Sequence, residues 1–271
     1  MMKPRAALLP AAVLLATLAP GASAFSGKNH AEITREAVKA MSFDQTAGDA
    51  VVAGNLHTDE DESKGGEFWS AAAHFDNEQF AAGSKRMKEK LLAALDALDG
   101  CDAAAAREQL GRALHSTQDF FAHSNWIENH AQDDAVDLLS LTDPDKDVIC
   151  VPGTHKGPLT SGYYYRDDKQ AAPSGKCLHN GELNKDDSAR PFYAPARNKA
   201  LAQTREILAM FDSLVSAKYG VSARGEAAFR IRLLKDGSDE FESQRRSCRP
   251  HPSAGGPLPM PPSLNFNPWR Q

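Results

Sequence analysis

The stretch Leu110 to Glu128, LGRALHSTQDFFAHSNWIE, constrains the fold more than any other part of the chain. A run of alanines leads into it and no proline interrupts it, so it predicts a central helix from Ala103 to about Asn129. On that helix His115, Asp119 and His123 recur at i, i+4 and i+8 and lie along one stripe. Imidazole and carboxylate are zinc ligands, and i, i+4 spacing lets two of them share one ion. Phe120, Phe121 and Trp126 interleave with the stripe, which leaves little surface for a solvated polar face. Buried His and Asp without partners would be costly, so metal ligation is the stronger reading.

At 271 residues and 41% hydrophobic, the chain is long enough for one sizeable core and short for two. The net charge of −5 argues against a broad phosphate-binding face. Lys3 and Arg5, the apolar run Ala6 to Leu18 and the triplet Ala22-Ser23-Ala24 read as a secretory signal with its cleavage site. Residues 1–24 are therefore expected to be removed, with the mature chain starting at Phe25 and exported to the periplasm or beyond. No later run reaches transmembrane length.

Four cysteines suit an oxidising compartment. Three pairings are possible. Cys150–Cys177 is favoured because it would staple a loop rich in Gly and Pro, leaving Cys101–Cys248 by elimination.

The pattern predicts an all-α helical bundle with one long loop, occupying residues 25–220. Asn29 is expected to cap a first helix carrying Ile33, Ala37 and Met41, with His30 on its inward face. Residues 42 to 66 read as loop, a second helical stretch starts near Glu67 and includes His74, and a third runs from about Ser84 to Leu98. Residues 143 to 187 read as a long irregular segment with the run Tyr163-Tyr164-Tyr165. A last long helix runs from near Arg190 to Tyr219. Residues 221–271 form a polar, then proline-rich tail that reads as poorly ordered.

Several further side chains are candidate ligands. His74 taken alone reads as a core histidine and Asp59 as one of a solvated acidic run. His30 lies five residues after the expected new N-terminus, whose α-amino group, with a pKa of roughly 8, can lose its proton and bind a metal. His179 follows Cys177 and would be held by the disulfide.

In this order, Phe25, His30, Asp59, His74, His115 and Asp119 resemble the ligand order of the zinc-dependent phospholipases C and single-strand-specific zinc nucleases. GNLHTD, ALHSTQDFFAHSNWIE, LTSGYYY, GKCLH and ELNKDD are similar in wording to the heterokaryon-incompatibility HET-C family and to related N-terminal regions of some von Willebrand A-domain proteins. That resemblance covers Phe25 to about Tyr219. It departs in having Phe25 where the superfamily has tryptophan, in placing His123 two residues early, and in offering His179 with Asp186 as the last ligands.

The resemblance implies a cluster of two or three zinc ions, bound by Phe25, His30, Asp59, His74, His115, Asp119, His123, His179 and Asp186. It implies a secreted phosphoric-diester hydrolase, phospholipase-C-like, in which zinc-bound hydroxide attacks, Asp119 bridges the ions and Asp59 orients the water. The implied partner is a phospholipid or other phosphodiester, with peripheral contact to a membrane surface. Alternatives on the same resemblance are a zinc-dependent nuclease or phosphatase, and a non-enzymatic interaction or toxin-like module with a structural metal site.

Overall fold

The structure, a computed structural model, describes residues 25–63, 65–144, 149–150, 156–164, 172–219 and 233–235. Among the described residues there are seven helices: α1 (Gly27–Ala40), α2 (Gln45–Glu60), α3 (Ala71–His74), α4 (Phe80–Asp99), α5 (Ala103–His123), α6 (Trp126–Asn129) and α7 (Tyr193–Tyr219). No strand accompanies them; extended backbone pairs only at the isolated bridges Ser124–Ser161 and Tyr163–Leu178. The all-α expectation is borne out. None of these helices is long and apolar enough to cross a membrane.

The centre of the bundle is α5, with α2, α4 and α7 packed around it and α1 wedged against α2 and α7. Ala106, Leu110, Ala113, Leu114, Phe120 and Phe121 of α5 are fully buried. Burying a large apolar side chain stabilises by roughly 1.5–3 kcal/mol, so this helix carries much of the core. It stops at His123 rather than Asn129, because Ser124 turns extended (ψ 164°) and its hydroxyl donates to Phe120 O at 2.5 Å. Residues Trp126–Asn129 then form the separate turn α6.

Residues 42 to 66, expected as loop, contain the four-turn helix α2, started by Asp44 accepting from Ala47 N–H at 2.9 Å. Its apolar face is narrow, and Gly54, which suggests a loop, instead lets it approach the α5 backbone at Glu108 closely. The first helix begins at Gly27 with Ser26 as its cap, not at Asn29. Asn29 is an inner residue whose amide donates to Asp186 O at 2.8 Å and accepts from Tyr193 O–H at 2.8 Å. The stretch near Glu67 is a 3-10 turn (Glu67–Trp69) followed by the single turn α3, and α4 starts four residues earlier than its apolar pattern indicates.

The disulfide Cys150–Cys177 is present. Cys101 is also disulfide-bonded, while its expected partner Cys248 lies outside the described residues. So do the expected signal segment 1–24, Tyr165 and most of the stretch 221–271. Leu233 to Lys235 are described and docked: Leu233 lies in the core, and the buried Arg107 donates to Leu233 O at 3.0 Å and Lys235 O at 2.6 Å.

Candidate metal centre

Four helices and one loop send His and Asp side chains to one place inside the bundle. His30 comes from α1, Asp59 from the last turn of α2, His74 from α3, and His115, Asp119 and His123 from α5. Each of the α5 residues, with His30, is completely buried, and only Asp59 is appreciably open, with 13% of its side chain exposed. The sequence stripe on α5 therefore points into the protein.

Asp119 is the centre of an inner pocket. Its Oδ1 lies 3.1 Å from His30 Nε2, and its Oδ2 lies 2.7 Å from His74 Nδ1 and 2.8 Å from His115 Nε2. His115 Nε2 and His74 Nδ1 are themselves 3.2 Å apart, and Asp59 Oδ1 stands 3.5 Å from His115 Nε2. The outward nitrogens are spoken for. His30 Nδ1 donates to Gln118 Oε1 at 2.6 Å, His115 Nδ1 to Asn55 Oδ1 at 3.3 Å, and His74 Nε2 to the Glu67 carbonyl at 3.2 Å. Each acceptor is an oxygen without a proton, so each ring carries its hydrogen on the outward side. One nitrogen of each of the three imidazoles is left converging on one carboxylate.

A second pocket adjoins the first. Asp76 Oδ1 lies 3.0 Å from His179 Nδ1 and 3.2 Å from His123 Nδ1, while His123 Nε2 faces Asp186 Oδ1 at 3.4 Å. Asp76 sits in the turn 75–78, where Phe75, Asn77 and Glu78 all take positive φ (54°, 55° and 58°). Non-glycine residues held there are strained, and such strain concentrates at functional sites. The turn is pinned from outside by Glu78, whose carboxylate accepts from Thr160, Tyr163 (3.0 Å) and Lys176 (2.7 Å). His179 is carried by backbone pairing with Tyr163 at 2.8 Å. Asp186 is delivered by its neighbour Lys185, a buried cation that donates to Ser124 O and Leu183 O at 2.8 Å and pairs with Glu128 at 2.9 Å.

The charges are strongly coupled. Burial acts to lower the His30 and His74 imidazoles, but Asp119 outweighs it and holds both above their ordinary value. His123 is raised well above it, with Asp76 and Asp119 overcoming burial. His115 goes the other way, lowered by burial and by the neighbouring His30. Against burial, His179 and His123 bring the Asp76 carboxyl down to about 2. Even so, His30 Nε2, Asp59 Oδ2, Asp76 Oδ2, Asp119 Oδ1, His123 Nε2 and Asp186 Oδ1 are buried with no hydrogen-bond partner. Buried polar atoms are normally paired, and this many orphans in one place suit the donor set of a cation site.

His30, Asp59, His74, His115, Asp119, His123, His179 and Asp186 are thus brought together. Phe25 is fully buried beside them, its ring edge-on to His30 with centroids 5.8 Å apart. Asp76 is the residue that sequence reasoning missed; its only signal was the His74-x-Asp76 spacing before a run of turn residues. The helical placement of Asp59 also differs from the expected acidic loop.

Comparison with known proteins corrects the identity that the ligand order implies. Residues 28–156, just under half of the 271, match the family model described as the VWA7 N-terminal domain. The chain is similar to von Willebrand factor A domain-containing protein 7 of Homo sapiens, 33% identical over 133 residues that make up 44% of this chain and 15% of the relative. It is similar also to the protein of that name in Mus musculus, 32% identical over 187 residues, or 59% of this chain and 20% of the relative. The chain thus spans a fifth or less of the length of these curated relatives. No solved structure matches.

A His/Asp order along helices reports ligand chemistry, which unrelated activities share, and does not carry a reaction with it. The expected membership of the phospholipase C and zinc nuclease superfamily, the HET-C-like reading and the phosphodiester hydrolase function are therefore withdrawn: the family model and the relatives that match all carry the VWA7 name.

Proposed function

We propose that the chain is a helical module that binds divalent metal ions of the zinc class in two adjoining pockets and works outside the cytosol. The observation that carries this is the convergence of one ring nitrogen each of His30, His74 and His115 on the Asp119 carboxylate, while their other nitrogens face oxygens outside the pocket. Such an arrangement is repulsive unless a cation sits within it.

The charge balance agrees. With neutral histidines, Asp59 and Asp119 give the inner pocket two negative charges, and Asp76 and Asp186 give the outer pocket two. Each pair of carboxylates offsets one divalent ion. Imidazole nitrogen with carboxylate oxygen and no thiolate suits zinc and its first-row neighbours better than calcium or magnesium. A bound ion would supply cross-links between α1, α2, α3, α5 and the loop that carries His179. Export is supported by the secretory pattern of residues 1–24 and fits the disulfide.

Purified protein should carry zinc by elemental analysis, lose it to a strong chelator and melt at a lower temperature afterwards. At free metal about 1,000 times the Kd, the stabilisation is about 4 kcal/mol. Zinc well below one equivalent after reconstitution, with an unchanged melting temperature, rejects the reading.

A further inference from the structure

Gln118 touches none of the pocket carboxylates, yet it is completely buried and uses both ends of its amide. Its Nε2 donates to Thr34 Oγ1 at 3.0 Å and Thr204 Oγ1 at 3.4 Å; its Oε1 accepts from His30 Nδ1 at 2.6 Å and Asn55 Nδ2 at 3.3 Å. The orientation of that amide is dictated from α7. Thr204 spends its only proton on Ala200 O at 2.7 Å, so its oxygen can only accept. The end of Gln118 that faces Thr204 must therefore be the NH2 group, and the end that faces His30 must be the carbonyl.

Two tautomers follow. Facing a carbonyl, His30 keeps its hydrogen on Nδ1 and turns Nε2 toward Asp119. Asn55 donates from Nδ2 to Gln118 Oε1 and to Thr34 Oγ1 at 3.0 Å, which leaves its Oδ1 for His115 Nδ1 and turns His115 Nε2 inward. We propose that Gln118 is the positioning residue of the inner pocket: seeded by Thr204, it sets through one amide which nitrogen of His30 and, by way of Asn55, of His115 is offered to the metal.

This rests on the metal-binding reading and adds a specific claim to it. The Gln118 amide bonds to the histidine and asparagine side chains, not to the ion, so it acts on the pocket through them.

The test uses Gln118→Met, which keeps length and loses both hydrogen-bonding ends, Gln118→Glu, which keeps an acceptor for His30, and Thr204→Val, which is isosteric and distant from the ion. The probes are zinc affinity by chelator competition, the visible spectrum of the cobalt(II) form, and histidine tautomers by 15N NMR. Gln118→Met is expected to weaken the inner ion by about 10- to 100-fold, the usual cost of losing an outer partner of a ligand. Its cobalt spectrum should shift, and Gln118→Glu should recover much of the affinity. Thr204→Val should mix the tautomers of His30 and His115. Should Gln118→Met not fold, Thr204→Val decides the matter alone. Parental affinity, spectrum and tautomers in whichever variant folds overturn the role of Gln118. Failure of the parent itself to bind zinc or cobalt overturns instead the reading on which it rests.

Discussion

Gly111 of α5 lies against Gly54 of α2 so closely that a Cβ on Gly111 would come within 2.7 Å of the Gly54 carbonyl carbon and 2.5 Å of Asn55 N. This close approach is what brings Asn55 within 3.3 Å of His115 and carries Asp59, one turn further on, to the rim of the pocket. Gly111→Ala must therefore spread the two helices. We expect a loss of about 1–3 kcal/mol, typical of overpacking, measured by urea denaturation. Zinc affinity should fall as well, because Asn55 and Asp59 move away with α2. A variant as stable as the parent, with unchanged affinity, would show that the helices can part at no cost to the site.

The metal-free protein and the zinc form should respond to pH in opposite directions. His30, His74 and His123 are held above the ordinary imidazole value, their carboxylate neighbours outweighing burial. A raised folded-state value stabilises fully below the unfolded value of about 6.5, and the contribution is lost as pH rises through the raised values. In the metal-free form protons stand in for the cation, so its melting temperature should fall upward from about pH 6.5. Zinc must displace those protons, so its apparent affinity should rise over the same interval. Melts with and without chelator across that range measure both slopes. A metal-free form that gains stability toward pH 8 is incompatible with protonated histidines in the pockets.

Glu67 acts at one remove. Against burial, Arg86, with Lys90 and Arg112, brings its carboxyl down to about 2, and the three cations lie 2.8, 2.7 and 2.5 Å from it. Its backbone carbonyl receives His74 Nε2–H, so the ion cluster anchors the turn that sets the His74 tautomer. A lowered carboxyl stabilises fully above its unfolded value near 4.5 and loses that contribution as pH falls toward 2. Glu67→Gln should cost about 1–2 kcal/mol at neutral pH, after allowing for solvent screening of a partly exposed group. It should also flatten the acid limb of the stability profile between those values.

How much of this was readable beforehand depends on how local each signal is. The α5 stripe was legible because His115, Asp119 and His123 sit on one uninterrupted helix with aromatic neighbours. The Ile33 and Leu91 helices were legible through their apolar period. Helix α2 was not, since Gly48, Gly54 and its narrow apolar face mimic loop composition; the backbone of α5 at Glu108 explains Gly54, and the Val38 side chain of α1 crowds Gly48. Asp76 was hidden because its role depends on a strained turn and on His179, which is far off in sequence. The order of ligand types was over-read: it located a centre and suggested a reaction that the relatives do not support.

Asp76 separates the two pockets experimentally. It lies 3.2 Å from His123 and 3.0 Å from His179, and with Asp186 it supplies the negative charge of the outer pocket. Asp76→Asn keeps the shape and removes one of the two charges that offset the ion. The outer ion should then be lost, with affinity falling more than about 100-fold, beyond what loss of an outer partner causes. The inner cobalt spectrum, set by Asp119 and its three histidines, should be unchanged. In the metal-free protein the substitution should destabilise by about 3 kcal/mol or more at pH 6, because His123 keeps a buried charge with one partner fewer. The double variant Cys150→Ser/Cys177→Ser should have a smaller effect on the outer ion, since the Glu78 clamp and Lys185 still hold the loop. If Asp76→Asn binds two ions as tightly as the parent, Asp76 is not part of the metal centre, and His123 and His179 need another counter-charge.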